Sequence, residues 1–358
     1  MEQLIDILPN SISISSVENL NYEDHLTYDD YLNYTNYLSY EERLLTEPVK
    51  YYVENKGKNI RQYITNYLGN LFGIDAKYIR GVSEFINIMH NAALVIDDIQ
   101  DNSFLRRKKE CAHIKYGIPL SINASYLCIF KLLNEMNKRK DEMNKRKEID
   151  ANITHKIKEI HATITHKIIE NLYLAHIGQG MDIYYTRHKI IPDIESYNKM
   201  ISNKTGAFLY PILDIIIEQC ESDILKEKYS ELHDGLYNFT LFYQIRDDYI
   251  NLTDPAYWKE RGFCQDFDEQ KISYLITYCT NNKMDNYEKI NDLMTKLNKT
   301  NSDKIEILNL MNNNGLFDSI YNILLELREK ILSSMEIGAL FQQLPFSKFD
   351  EDSTKNII

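Results

Sequence analysis

The feature that most constrains this chain is an apolar, turn-free run from Val82 to Val95 that ends in carboxylates, Ile96-Asp97-Asp98-Ile99-Gln100-Asp101. Such a run reads as a buried helix. On a helix Asp97 and Asp101, four positions apart, stack on one face. Like charges there repel, and burying them uncompensated is costly. The end of this helix must therefore open to water or meet divalent cations. Hard carboxylate oxygens suit Mg²⁺, which takes one or two carboxylates and completes its shell with water and phosphate. Five residues after Asp101 stand Arg106 and Arg107, and guanidinium groups bind phosphate bidentately. Acid for a metal followed by base for phosphate is the layout of a diphosphate site.

The same chemistry recurs in Leu241-Phe242-Tyr243-Gln244-Ile245-Arg246-Asp247-Asp248-Tyr249-Ile250-Asn251. An apolar approach again leads into an Asp-Asp pair, with Asn251 four residues after Asp247. One acidic pair is ordinary on a solvated helix face. Two, each ending an apolar helix, call for another explanation.

Length alone, 358 residues, suggests about two domains. Gly and Pro are sparse, however, and no Pro/Gly/Ser-rich linker divides the chain, so one large all-α domain is the better expectation. An apolar fraction of 44% suffices for a sizeable core, and a net charge of −12 argues against nucleic acid as a partner. Cys111, Cys128, Cys220, Cys264 and Cys279 are scattered and lack C-x-x-C spacing, as expected of reduced thiols and not of a disulfide framework or zinc site. The acidic N-terminal stretch has neither a signal-peptide pattern nor the basic character of a transit peptide. Lys355-Asn356-Ile357-Ile358 lacks the cysteine of a prenylation box. No apolar run is long enough to cross a bilayer, since Leu209 to Ile217 is interrupted by Asp214. A cytoplasmic protein without a transmembrane segment is expected.

Residues 1–41 form an acidic extension in which Tyr28, Tyr31, Tyr34, Tyr37 and Tyr40 recur every third position. Compositional bias accounts for it more simply than a partner-binding arm does. Ile60, Tyr63, Ile64, Tyr67, Leu68 and Leu71 then mark one face of an amphipathic helix. Lys58 and Arg61 stand at its mouth, where free backbone N–H groups also favour phosphate. Further on, Glu135–Lys140 is repeated as Glu142–Lys147, which reads as an expanded interhelical segment whose basic run is a solvated face. His155, His161 and His166 lack metal-ligand spacing and belong to a solvated helix. Gln179 and Asp182, three apart, share a helix face. Pro211, six residues after Thr205, is expected to kink a helix and free its carbonyls toward a cavity.

Several phrases now stand in a familiar order: Gly57-Lys58-Asn59-Ile60-Arg61, His90-Asn91-Ala92-Ala93 before the first aspartates, Tyr116-Gly117-Ile118-Pro119, Gly178-Gln179-Gly180-Met181-Asp182, Lys204-Thr205-Gly206, Gln244-Ile245-Arg246-Asp247-Asp248-Tyr249, and Gly262-Phe263 followed by Lys271. In these the chain resembles the trans-isoprenyl diphosphate synthases, or polyprenyl synthetases. It is similar in particular to the geranylgeranyl diphosphate synthases of fungi and animals. The resemblance runs from about Glu42 to Met335. It implies the isoprenoid synthase fold, an all-α single-domain helical bundle around a central cavity, spanning 42–344 with a tail at 345–358. It also implies a homodimer or higher homo-oligomer. The implied reaction is a Mg²⁺-dependent condensation of isopentenyl diphosphate with dimethylallyl, geranyl or farnesyl diphosphate, giving geranylgeranyl diphosphate. Farnesyl or longer products, a non-catalytic partner subunit and a terpene cyclase are the alternatives.

Carried onto this sequence, the resemblance assigns metal binding to Asp97, Asp101 and Asp247, with three Mg²⁺ per active site once substrate is bound. It places Asp98, Arg106, Gln179, Asp182, Lys204, Thr205, Gln244, Asp248 and Lys271 around the allylic diphosphate. Lys58, Arg61, His90 and Arg107 would hold isopentenyl diphosphate. Ala92 and Ala93, where farnesyl-producing relatives carry bulky aromatics, would leave the product tunnel open, and Ile129, Phe130 and His176 would close it further down. Lys56 replaces the family's usual Pro, Lys108 its usual Gly, and Ile177 a polar residue; the segment from Cys264 to Gln270 matches loosely.

Overall fold

A computed structural model of the protein describes residues 39–145, 151–220 and 222–344. The Tyr-rich extension before residue 39, the tail from residue 345 and the end of the basic repeat at 146–150 lie outside the described residues, as do the side chains of His155 and His161. In chain order the helices are α1 Tyr40–Leu45, α2 Glu47–Glu54, α3 Ile60–Leu71, α4 Ala76–Gln100, α5 Ala112–Tyr116, α6 Ile118–Lys145, α7 Ala151–His188, α8 Ile194–Lys204, α9 Tyr210–Gln219, α10 Asp223–Glu227 and α11 Tyr229–Thr253. After them come α12 Pro255–Arg261, α13 Gln265–Asp268, α14 Tyr274–Asn281, α15 Tyr287–Thr295, α16 Asn301–Asn313, α17 Leu316–Ser333 and α18 Met335–Gln342. A two-stranded antiparallel hairpin, β1 Leu105–Arg106 with β2 Lys109–Glu110, is the only sheet among the described residues. This is the all-α fold that the sequence implied.

α4 and α11 carry the two aspartate motifs, and each reaches about 37 Å at 1.5 Å per residue. α4 starts where Asp75 accepts hydrogen bonds from the N–H groups of Lys77 and Tyr78, a side-chain N-cap. It buries Ile79, Val82, Ile86, Met89 and Val95 at helical spacing and ends at Asp101, just before Asn102 turns the backbone to positive φ. α11 ends at Asp254, whose side chain caps the next helix by accepting from Ala256 N. Around these two, α4 packs on α3 and α6, α7 packs on α8, and α11 packs on α17. Buried apolar residues from Val49 to Leu344 form one contiguous cluster. No described helix is long and apolar enough to cross a membrane.

Three local expectations need correction. On α3 the buried face is Ile60, Ile64, Thr65, Leu68 and Gly69, while Tyr63 and Leu71 are exposed. The small Gly69 lets Ile79 of α4 come close, so the face turns toward it. Pro211 does not kink a continuous helix. The chain breaks earlier, at a short 3₁₀ turn over Gly206–Phe208, and Pro211 lies in the first turn of α9, where a missing N–H costs nothing. The first copy of the basic repeat is not an interhelical segment but lies within the last turns of α6.

α7 and α8 touch backbone to backbone at Gly178. A Cβ there would lie 2.4 Å from Lys204 N and 2.8 Å from Asn203 C. Main-chain atoms cannot swing away, so Gly178→Ala is expected to lower unfolding stability by about 1–3 kcal/mol, measured by denaturant titration. A larger fractional loss of any activity should accompany it, because Lys204 and Thr205 ride on the displaced end of α8.

Candidate active site

The ends of α4 and α11 open onto one cavity of about 1230 Å³. Of the residues singled out from sequence, Lys58, Arg61, His90, Ala93, Asp97, Asp101, Arg106, Arg107, Ile129, His176, Gln179, Lys204, Thr205, Gln244, Asp247 and Lys271 line it. Asp98, Asp182, Asp248, Ala92 and Phe130 do not. Asp98 and Asp248 are fully buried behind the wall. Successive helical positions point about 100° apart, so when the first aspartate of each pair faces the cavity the second faces the core.

Each buried aspartate is held in a set of donors. Asp98 accepts from Arg106 Nε at 2.9 and 3.0 Å, from Arg106 Nη2, and from the Tyr52 hydroxyl. Asp248 accepts from Lys271 Nζ at 2.8 Å, Tyr274 N at 2.9 Å, Tyr197 Oη at 2.9 Å and Gln244 Nε2 at 3.1 Å. Charged donors satisfy these carboxylates, and the carboxylates in turn aim Arg106 and Lys271. Asp182 works the same way: it accepts from Lys204 Nζ at 2.7 Å, while Lys204 also stands 3.3 Å from Asp97.

The cavity-facing aspartates differ, Asp97 being well paired and Asp101 not. Asp97 accepts from Gln179 Nε2 at 3.0 Å and pairs with Lys204 and Arg106. Burial would raise its pKa, but Lys204 and Arg106 outweigh burial and hold it down to about 2. Burial and the charge of Asp97 push Asp101 up to about 8, despite Lys204. Asp247 accepts from the Tyr257 hydroxyl at 3.1 and 3.2 Å. The wall thus carries an acidic surplus that a hard cation would relieve. The donor set, carboxylate oxygens from two helix ends with room between them, suits Mg²⁺. Among the described residues no group of three or more His, Cys, Asp or Glu is already drawn together as a metal cage.

Cations line the same cavity. Arg61 sits over the Phe208 ring at 5.9 Å, and its buried Nε has no hydrogen-bond partner. Burial, aided by Arg107, lowers its pKa to about 10. His90 packs edge-on against Phe208 at 5.6 Å; burial, then Arg61, Arg107 and Arg106, keep it neutral by pushing its pKa well below the usual histidine range. Arg107 donates to Tyr52 O at 3.0 Å and to Asn55 O. Lys204 and Lys271, desolvated but flanked by carboxylates, have their pKa values raised and stay charged.

Sequence reasoning missed several wall residues. Tyr257, Asp266 and Glu269 line the cavity. Asp266, 3.6 Å from Lys271, is pushed up to about 8, chiefly by burial and then by Asp248 and Glu269 against the pull of Lys271. Glu269 accepts from Ser103 Oγ at 3.3 Å, tying this segment to the loop after α4. Asn251 accepts from Asp266 N at 3.2 Å, so the residue four beyond Asp247 positions the second acidic segment. The acidic pair Asp266-x-x-Glu269 before Lys271 was a usable signal; Tyr257, like Tyr52 and Tyr197 behind the wall, was not, since 27 tyrosines leave no way to choose.

A sequence profile described as polyprenyl synthetase matches residues 42–311. A geranylgeranyl pyrophosphate synthase of Aspergillus flavus is 32% identical over 252 residues, covering 70% of this chain and 66% of that protein, just under two thirds of its length. One of Dictyostelium discoideum is 30% identical over 291 residues, covering 81% of this chain and 87% of its own length. A bifunctional type I diterpene synthase of Aspergillus flavipes is 28% identical over 296 residues, 82% of this chain but 36% of that protein. With its two aspartate-tipped helices facing one cavity and a family match over most of its described length, the chain belongs to the polyprenyl synthetase family.

Proposed function

We propose that this protein is a Mg²⁺-dependent trans-prenyltransferase that condenses isopentenyl diphosphate with an allylic diphosphate to make geranylgeranyl diphosphate. The observation that carries the reading is that one cavity is lined by carboxylates, by cations and by the apolar side chains of Ala93, Leu94, Ile129, Leu172 and Ala175. Asp97, Asp101 and Asp247 would hold the metal, which when bound supplies the charge that stabilises a departing diphosphate. Lys204, Lys271 and Arg106, each fixed by a carboxylate, add positive charge that needs no reorganisation as the bond breaks. The apolar lining keeps water from the allylic cation. Lys58, Arg61, Arg107 and neutral His90 hold isopentenyl diphosphate so that its double bond faces that cation. No protein base is assigned; the released diphosphate takes the proton.

That Lys58, Arg61, His90 and Arg107 share the cavity favours chain extension over cyclisation, which needs no second diphosphate site. Retention of both aspartate motifs favours an enzyme over a non-catalytic partner subunit. A homo-oligomer is supported by exposed apolar residues on adjacent helices, Ile118, Ile122 and Phe130 on α6 with Ile169, Tyr173 and Ile177 on α7. Five free, buried cysteines support a reducing, cytoplasmic setting.

The test is incubation of purified protein with Mg²⁺, isopentenyl diphosphate and each allylic primer, then sizing of the products. A twenty-carbon diphosphate is expected, and no condensation with any primer would refute the reading. Lys58→Ala should raise the KM for isopentenyl diphosphate at least about tenfold, the scale of a charge-assisted contact, and leave the allylic KM within about twofold. Equal losses for both substrates would mean that Lys58 only supports the start of α3.

A further inference from the structure

α12 follows α11 after one residue and is anchored to it. Asp254, the residue between them, caps α12 by accepting from Ala256 N at 2.7 Å. Trp258 Nε1 donates to Asn251 O at 2.8 Å, and its ring stands edge-on to Phe263 at 4.8 Å. α12 also packs on β1. These attachments fix a helix of only seven residues beside the last turn of α11. Between Ala256 and Trp258, Tyr257 lines the cavity together with Asp247. Its hydroxyl lies 3.1 and 3.2 Å from the two carboxylate oxygens of Asp247 and donates to them.

The neutrality of this donor sets Asp247 apart from the buried aspartates. Asp98 and Asp248 accept from Arg106 and Lys271, whose charges cancel theirs. A phenol with a pKa of about 10 stays protonated at neutral pH, so it leaves the negative charge of Asp247 available to a cation. What it supplies is direction. A carboxylate turns readily about its terminal bond, and one hydroxyl spanning both oxygens limits that turning. Partners of this kind orient carboxylates that ligate metals, and losing one typically costs about 10- to 100-fold in metal affinity or activity. Asp97 has a counterpart in Gln179 of α7, whose Nε2 donates to it at 3.0 Å.

We propose that Tyr257 is a positioning residue for the metal: its hydroxyl, held in place by α12, sets the orientation in which the Asp247 carboxylate takes Mg²⁺. The proposal rests on the assignment of Asp247 to the metal. In this role Tyr257 touches neither metal nor substrate and acts only through Asp247. Two consequences separate it from a residue that merely stabilises the fold. Loss of the hydroxyl weakens metal binding without removing a ligand, so added metal makes up for it. The effect also vanishes once the Asp247 carboxylate is gone.

The experiment compares wild type, Tyr257→Phe, Asp247→Ala and the double variant. Mn²⁺, which suits the same carboxylate and water ligands as Mg²⁺, is titrated in the presence of inorganic diphosphate, with free Mn²⁺ read by electron paramagnetic resonance. The Mg²⁺ dependence of turnover is measured alongside. Tyr257→Phe should raise the Mn²⁺ Kd, and the Mg²⁺ concentration for half-maximal turnover, about tenfold. Rising Mg²⁺ should bring its kcat back toward that of the wild type, with the KM for isopentenyl diphosphate unchanged. In the Asp247→Ala background the same substitution should add nothing to the Mn²⁺ Kd. A hydroxyl that only steadies α12 would instead lower the thermal midpoint and leave the Mn²⁺ Kd where it was. That result, with Asp247→Ala raising the Kd, would overturn the proposal alone, as would an undiminished effect of Tyr257→Phe in the Asp247→Ala background. If Asp247→Ala leaves the Mn²⁺ Kd unchanged as well, the assignment of Asp247 to the metal falls and the proposal with it.

Discussion

Asp97→Ala and Asp247→Ala are each expected to lower turnover by about two to three orders of magnitude, the scale of losing one preorganised group that stabilises developing charge. Both carboxylates face the cavity, and neither is the keystone of a buried network. Asp97 can be removed while Lys204 keeps Asp182, and Asp247 while Tyr257 loses one acceptor. Folding should therefore survive, shown by an unchanged circular dichroism spectrum and thermal midpoint within a few degrees. Asp98→Ala is the contrast. It would leave the buried Arg106 guanidinium only the longer contact to Asp97 at 3.4 Å, costing about 3–5 kcal/mol of stability. Removing divalent metal with EDTA should silence the wild type. Full activity in EDTA, or in Asp97→Ala or Asp247→Ala, would exclude a metal-assisted departure of diphosphate.

That contrast marks what could and could not be seen from the residues alone. Helical spacing says that Asp97 and Asp101 share a face; it also says that Asp98 points elsewhere, yet motif order groups the pair. Only the contacts of Tyr52 and Arg106 with Asp98, the Tyr52 hydroxyl itself accepting from Ala112 N, show that its carboxylate belongs to the core. The fold was legible because long apolar runs without turn residues admit few alternatives to helices. Most of the cavity wall was legible because charged residues in a fixed order need each other's company. The partners at long separation were not: Tyr197 reaches Asp248 across 51 residues, and Ser103 reaches Glu269 across 166. Neither contact has a local signature. Phe130 was misplaced for a related reason. It is 65% exposed and stacks on Tyr126, and of these residues Tyr126 and Ile129 line the cavity while Phe130 does not.

The same separation of adjacent residues decides how product length should be tested. Ala92 and Ala93 both lie about one 5.4 Å turn below Asp97 on α4, and both were candidates for the level at which a growing chain passes. Only Ala93 lines the cavity; Ala92 is fully buried in the core. Ala93→Phe is therefore expected to fill the tunnel just below the carboxylates and shift the main product from twenty carbons toward fifteen, read by chromatography of the dephosphorylated alcohols. Ala92→Phe should behave differently: an aromatic ring forced into a packed core costs about 1–3 kcal/mol or more, so it should lower the thermal midpoint without shortening the product of the molecules that remain folded. Further down, Ile129 and His176 line the same cavity, with His176 Nδ1 held 2.8 Å from Leu172 O. An aliphatic residue at Ile129 leaves more room than an aromatic one, so Ile129→Phe should trim any product longer than twenty carbons and leave the twenty-carbon product in place. A folded, active Ala93→Phe protein with an unchanged product would show that the chain does not run down this face of α4, and would move the search for its path to another wall of the cavity.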